Sequence, residues 1–226
     1  LFRSETTALG FVAGFTGKAI EDGLAAQGIH TDFIHLPEGN SRINVKVKHG
    51  DETEINGQGP VITEEAINEL FAKLDTLTKE DILVLAGSIP NTLPEDIYEK
   101  ILASLESKGI RVVVDATKDL LLNVLKYHPF LIKPNNHELG EMFGTVCKTD
   151  EDIVHYAKKL QEKGAVNVLI SMAGDGAILI TEDGQNIKMG TPKGKVVNSV
   201  GAGDYMVAGF ITGYIRGGNY EEALKS

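Results

Sequence analysis

Short apolar runs alternate along the chain with stretches whose apolar residues recur every three or four positions. Ile82-Leu83-Val84-Leu85-Ala86 and Val112-Val113-Val114 are continuous apolar runs of strand length, the pattern of parallel strands buried on both faces. Between them, the stretch from Pro94 sets Ile97, Ile101 and Leu105 on one helical stripe and stops at Gly109, which predicts a helix followed by a strand over Ile110 to Val114. A second predicted helix, near Asp150 to Lys163, carries Ile153, Ala157 and Leu160 at helical spacing and leads into a strand from Val166 to Ile170. The start of the chain reads as a strand, Thr7 to Val12, running into a helix. This βαβ rhythm predicts an α/β fold, a mostly parallel sheet sandwiched by helices. No internal repeat or low-complexity tract interrupts it.

One stretch departs from the rhythm. From Phe33 to Asn56 the period drops to two, with Ile43, Val45 and Val47 on one face and Arg42, Asn44, Lys46 and Lys48 on the other, around a His49-Gly50-Asp51-Glu52 turn. A hairpin is expected here. The expected organisation is therefore a body over 1–32 and 58–226 and a small β-lid over 33–57. Such a hairpin is either an edge decoration or a lid that brings Arg42 and Asn44 over an anionic ligand.

Composition narrows the function classes. Lys and Arg number 22 against 32 Asp and Glu, a formal charge of −10, which argues against a nucleic-acid partner. The apolar runs fall far short of the roughly 18 residues a membrane helix needs, so no membrane partner is expected. One cysteine, Cys147, cannot form an intrachain disulfide, and with no signal peptide visible a cytoplasmic location is expected. The thiol itself reads as idle. The chain starts at Leu1, and Tyr220 to Ser226 looks like a helix cut short, so a fragment with part of the lid and both ends missing is expected.

Four runs could carry chemistry, each at a strand end or helix start. In Asn198-Ser-Val-Gly201-Ala202-Gly203-Asp204 the glycines lie where a loop becomes a helix, so unpaired backbone N–H groups and the helix dipole together make an anion cradle. Asp204 in the first turn is favoured as a carboxylate and stays available as a proton acceptor; equally, the glycines could only shape a turn that Asp204 caps. Lys133-Pro134-Asn135-Asn136-His137-Glu138 could set Lys133 on a phosphate and Asn135 and Glu138 around hydrated Mg²⁺, or Asn135 and Glu138 could simply form a capping box. Ser171-Met-Ala-Gly174-Asp175-Gly176 offers backbone to a nucleotide, or a hairpin turn. Leu85-Ala-Gly87-Ser88-Ile-Pro90 ends a strand with a small hydroxyl residue. Gly10 to Lys18 imitates nucleotide fingerprints, but Val12 and Ala19 break the P-loop pattern, leaving a strand-to-helix turn. The six histidines form no zinc-ligand spacing.

Taken in order, Ser41-Arg42-Ile-Asn44, Ala86-Gly87-Ser88-Ile-Pro90, Lys133-Pro-Asn135-x-x-Glu138 and Asn198-Ser-Val-Gly-Ala-Gly-Asp204 resemble the PfkB sugar kinases of the ribokinase fold. The likeness is strongest to the branch of fructose-1-phosphate and tagatose-6-phosphate kinases and covers essentially the whole chain. It implies an ATP-dependent phosphosugar kinase, with fructose 1-phosphate as acceptor and tagatose 6-phosphate as the alternative. It assigns Asp204 as the base, Gly201, Ala202 and Gly203 as the anion hole, and Asn135 and Glu138 as organisers of Mg²⁺ through water. By the same likeness Lys133 meets substrate and nucleotide phosphates, Ser171, Gly174 and Gly176 form the nucleotide loop, and Arg42, Asn44 and Ser88 hold the phosphosugar. The homodimer expected through the β-lid comes from the apolar face of the hairpin. Two departures stand out: Asn198 where many members have Asp, and Met172-Ala173 in place of Leu-Gly. The family's amino-terminal glycine-rich sugar motif and its carboxy-terminal adenine segment have no counterpart here. Two further classes stay open, a non-catalytic sugar or nucleotide sensor and a dinucleotide oxidoreductase; retention of Asp204 opposes the first and the missing glycine fingerprint the second.

Overall fold

A computed structural model describes residues 5–49, 51–87, 89–116, 118–191, 201–217 and 219–225. The chain packs as two compact units. One comprises Glu5–Leu77 with Ile89–Ile97, the other Thr78–Ser88 with Tyr98–Ser226. This division follows packing, whereas the expected 33–57 segment is defined by its hairpin.

The first unit holds β1 (Thr7–Ala8), β2 (Phe11–Ala13), α1 (Gly14–Ala26), β3 (His30–Thr31), β4 (Ile34–Leu36), β5 (Asn44–His49), β6 (Asp51–Asn56) and α2 (Glu64–Asp75). The strand expected from Thr7 to Val12 is broken into two short pieces at Leu9-Gly10. β1 pairs in parallel with β3, and β2 with β4. β4 therefore does not belong to the hairpin, which starts at Asn44 rather than Phe33. Period-two alternation identifies extended chain but not its partner. β5 and β6 pair antiparallel from Asn44↔Asn56 to His49↔Asp51. Ser41 anchors the chain just before this hairpin: its buried hydroxyl accepts from Ala13 N at 3.0 Å, and its carbonyl accepts from Thr16 Oγ1 at 2.8 Å. Gly10 to Lys18 is, as expected, a strand-to-helix turn.

The second unit contains β7 (Ile82–Ala86), α3 (Ile97–Leu105), β8 (Arg111–Asp115), α4 (Lys118–Val124), β9 (Leu131–Ile132), α5 (Asn136–Met142), α6 (Asp150–Glu162), β10 (Asn167–Ser171), β11 (Ala177–Ile180), β12 (Asn186–Met189), α7 (Ala202–Gly217) and α8 (Tyr220–Lys225). The strands form one sheet in the order β12-β11-β10-β9-β8-β7. β7 to β10 are mutually parallel, while β11 and β12 run antiparallel. Both faces are buried along β8 to β11, whereas β7, expected to be buried on both faces, lies at the sheet edge with Val84 41% exposed. Val113, Leu131, Leu169 and Leu179 pack with Val207 and Phe210 of α7 and Ala223 of α8. The alternate residues, Val114, Ile132, Val168 and Ile178, are equally buried and face the opposite way, and α5 and α6 pack on β10. The stripes Ile97/Ile101/Leu105 and Ile153/Ala157/Leu160 are buried as their spacing predicts. The sheet is thus mostly parallel and covered by helices, as the sequence implies.

Candidate active site

Because β7 to β10 run parallel, their carboxyl ends share one edge of the sheet, the edge where open α/β sheets bind ligands. Gly87, Asp115, Lys133 and Ser171 all fall at these ends. Pro134 cannot donate a backbone hydrogen bond, and the two-residue strand β9 ends just before Lys133. Asn135 and Ser171 are joined by an isolated parallel bridge, and Ser171 N donates to Pro134 O at 3.2 Å. The lysine run and the serine run therefore lie side by side.

Asn135 is the N-cap of α5. Its Oδ1 accepts from Glu138 N at 2.8 Å, and its own N donates to Glu138 Oε2 at 2.8 Å. The capping-box reading of the sequence is realised, with one oxygen of each side chain engaged. After Ser171 the chain makes a 3₁₀ turn, Ala173–Asp175, into the antiparallel strand β11, with Met172 N donating to Gly176 O at 2.8 Å. Gly176 has φ +92°, and a Cβ there would lie 1.9 Å from Met189 O, so no other residue fits without moving β12. Thr191 Oγ1 donates to Gly174 O at 2.8 Å.

The turn at Gly201 opens α7, whose first intrahelical bond runs from Tyr205 N to Gly201 O at 2.9 Å. The amides of Ala202, Gly203 and Asp204 in that first turn have no intrahelical acceptor and point with the positive end of a 16-residue helix. Asp204 is exposed. The helix mouth lies beside the lysine: a Cβ on Gly203 would lie 3.0 Å from Lys133 Nζ, so glycine here leaves room for the ammonium next to the backbone.

Lys133 is itself buried and ion-paired, with Nζ 3.2 Å from Asp115 Oδ1. Burial raises the Asp115 carboxyl above the usual carboxylate range; the Lys133 charge and hydrogen bond work against that rise, and the nearby Asp204 carboxylate adds to it. Tyr98 lies close by. Burial and the Asp115 charge push its phenol up, and its hydroxyl donates to Ala86 O at 3.0 Å and to Gly87 O at 3.4 Å, at the end of β7. Sequence reasoning missed Asp115 and Tyr98. The signal for Asp115 was a single carboxylate closing an apolar strand, Val112-Val113-Val114-Asp115.

Of the residues expected at the site, Lys133, Asn135, Glu138, Ser171, Gly174, Gly176, Gly201, Ala202, Gly203 and Asp204 belong to the second unit. Ser88 and the Asn198-Ser-Val segment lie outside the described residues. Arg42 and Asn44 belong to the first unit; Arg42 is exposed, and Asn44 opens β5. A cavity of about 470 Å³, lined in part by His128, Lys163, Val166, Thr181 and Glu182, opens at the opposite end of β10 and is separate from these residues. Cys147 is buried, and burial raises its thiol above the ordinary value, which fits an unreactive side chain.

The sequence matches the pfkB family carbohydrate kinases over residues 2–226. It is 50% identical over 218 residues to the 1-phosphofructokinase of Bacillus subtilis (strain 168), covering 96% of this chain and 71% of that protein. The chain belongs to the pfkB family of carbohydrate kinases. Membership makes it a phosphotransferase acting on a sugar hydroxyl, with ATP as co-substrate, and sets aside the sensor and the oxidoreductase. Another family member, the D-tagatose-1-phosphate kinase of Bacillus licheniformis, is 38% identical over 222 residues, covering 98% of this chain and 72% of that protein. That relative's name places the sugar phosphate on carbon 1, so the expected alternative, tagatose 6-phosphate, is not favoured. The ribokinase of Arabidopsis thaliana, solved with ribose and ATP, superposes with a TM-score of 0.79 at 20% identity, covering 99% of this chain and 73% of that one. The fold is ribokinase-like, as the motifs implied.

Proposed function

We propose that this pfkB family member transfers the γ-phosphoryl group of ATP to the free terminal hydroxyl of fructose 1-phosphate, giving fructose 1,6-bisphosphate. The observation that carries the reading is the junction at Gly203. There the open amides of α7, the exposed Asp204 and the Lys133 ammonium meet at the carboxyl edge of a parallel sheet. The 50% identity to a 1-phosphofructokinase supports this acceptor.

In this reading Asp204 accepts the proton of the attacking hydroxyl, and the amides of Gly201, Ala202 and Gly203 hold the negative charge of the transferring group. Lys133 neutralises phosphate oxygens, Ser171, Gly174 and Gly176 lie along the nucleotide, and Arg42, Asn44 and Ser88 hold the phosphosugar. Phosphoryl transfer asks mainly for alignment and charge neutralisation, and these residues supply both.

The donor set suits Mg²⁺ held through water. Among the described residues no three His, Cys, Asp or Glu side chains cluster to hold a metal, and the capping box already uses one oxygen each of Asn135 and Glu138. An ion that keeps most of its waters and takes the rest of its ligands from ATP fits such a site. When bound, Mg²⁺ would neutralise charge on the phosphates.

The hairpin adds an assembly. Ile43, Val45, Val47 and Ile55 are exposed at 62, 46, 44 and 60%, and Val45 and Ile55 are register partners. We assign this apolar face to a homodimer in which each lid packs on its twin, leaving Arg42 for the sugar phosphate. The test of the activity is ADP release by the full-length protein with fructose 1-phosphate, fructose 6-phosphate, tagatose 1-phosphate and tagatose 6-phosphate. The highest kcat/KM is expected for fructose 1-phosphate, and a preference for any other acceptor overturns the assignment.

A further inference from the structure

One largely buried carboxylate at the sheet edge has no task in this chemistry. Asp115 is only 18% exposed at its side chain, Lys133 only 9%, and their contact of 3.2 Å is an ion pair. The lysine has an acid on either side: Asp115 at the end of β8, and Asp204 one residue beyond Gly203, where a Cβ would meet the ammonium at 3.0 Å. The Asp204 charge is felt at Asp115, so all three groups share one electrostatic neighbourhood. Among the described residues the ion pair of Lys133 runs to Asp115, and none runs to Asp204. A lysine has a flexible stem and three donors. Without Asp115, the carboxylate left in this neighbourhood for its ammonium to turn to is Asp204, and a carboxylate bound in an ion pair is a poorer proton acceptor.

We propose that Asp115 is a positioning residue, whose carboxylate holds the Lys133 ammonium against Gly203 and away from Asp204, so that the lysine faces the phosphates and the aspartate stays free to take a proton. The inference rests on the reading of Asp204 as the base. Asp115 touches neither substrate nor reacting atoms; it acts through the lysine alone. That restriction gives the proposal its test, because a residue acting only through Lys133 has no effect once Lys133 is gone.

The experiment is a double-mutant cycle in the full-length protein, with steady-state kinetics on fructose 1-phosphate and ATP and melting temperatures for every variant. Asp115→Asn should lower kcat by about tenfold or more while KM for both substrates stays within about threefold. Asp115→Glu, which keeps the charge, should recover most of that loss. In the Lys133→Met background, adding Asp115→Asn should change kcat by less than about twofold. Should Asp115→Asn fail to fold, Asp115→Glu and Asp115→Gln, alike in size and different in charge, make the same comparison. Wild-type kcat in Asp115→Asn, or the same loss with and without the lysine, overturns the proposal. Asp204→Asn run alongside separates the two readings: retained turnover there removes the base assignment, whereas independent factors in the cycle remove the role of Asp115.

Discussion

At the scale of single residues, the second unit distinguishes side chains that build the sheet edge from those that work there. Gly176 builds it. Its φ of +92° and the 1.9 Å approach of a Cβ to Met189 O mean that Gly176→Ala must displace the end of β12. A loss of about 2 kcal/mol or more is expected, read as a fall in melting temperature. Asp204 works there. Asp204→Asn keeps the shape of the α7 start and removes the proposed base, so turnover should fall by about 10² to 10⁴ with little change in KM for ATP. Near-normal turnover in initial-rate assays would reject that role. The residue scale is also where sequence reasoning fell short. Asp204 was visible because glycines flank it at a helix start. Asp115 was not, because its significance lies in Lys133, which comes 18 positions later and meets it only after β8 and β9 pair.

At the scale of elements, helices were legible where caps and stripes agreed. α6 shows why: Thr149 Oγ1 accepts from Asp152 N at 3.1 Å, and Asp152 Oδ2 accepts from the amides of Lys148 and Thr149 at 3.0 Å each. Thr149→Ala should cost about 1 kcal/mol of stability. The amides lower the Asp152 carboxyl below the usual range, so its contribution is present above about pH 4 and is lost as pH falls through the depressed folded value. Asp152→Asn should therefore melt earlier than the parent at pH 7, and the gap should close in acid, as thermal denaturation at several pH values would reveal. Strands were less legible. The short pairs β1–β3 and β2–β4 join residues about 23 positions apart, and no local pattern announces such partners. The hairpin was recognised from its alternation, yet Ile34 to Leu36 has the same alternation and pairs elsewhere. For Arg42, whose backbone neighbour Ser41 is fixed by Ala13 and Thr16, replacement by Ala should raise KM for the phosphosugar far more than for ATP. Equal effects on both would show that it does not hold the sugar.

At the scale of the whole molecule, the chain spans 71% of the length of its B. subtilis relative, and among the described residues no helix is long and apolar enough to cross a membrane. The proposed homodimer belongs to this scale. Val45→Asp with Ile55→Asp should convert a dimer to a monomer in sedimentation analysis, and an unchanged sedimentation coefficient would remove the lid from the interface. The strand order of the second unit has a different consequence. From β7 to β12 every strand lies beside the one that precedes it in the chain, so none has to be inserted between two that have already joined. A ribosome releasing this polypeptide can add strands one after another to a single growing border. The Asp115–Lys133 pair can form as soon as β9 joins β8, before the helix bearing Asp204 has been synthesised. Such an order of growth would let the lysine meet Asp115 before Asp204 exists.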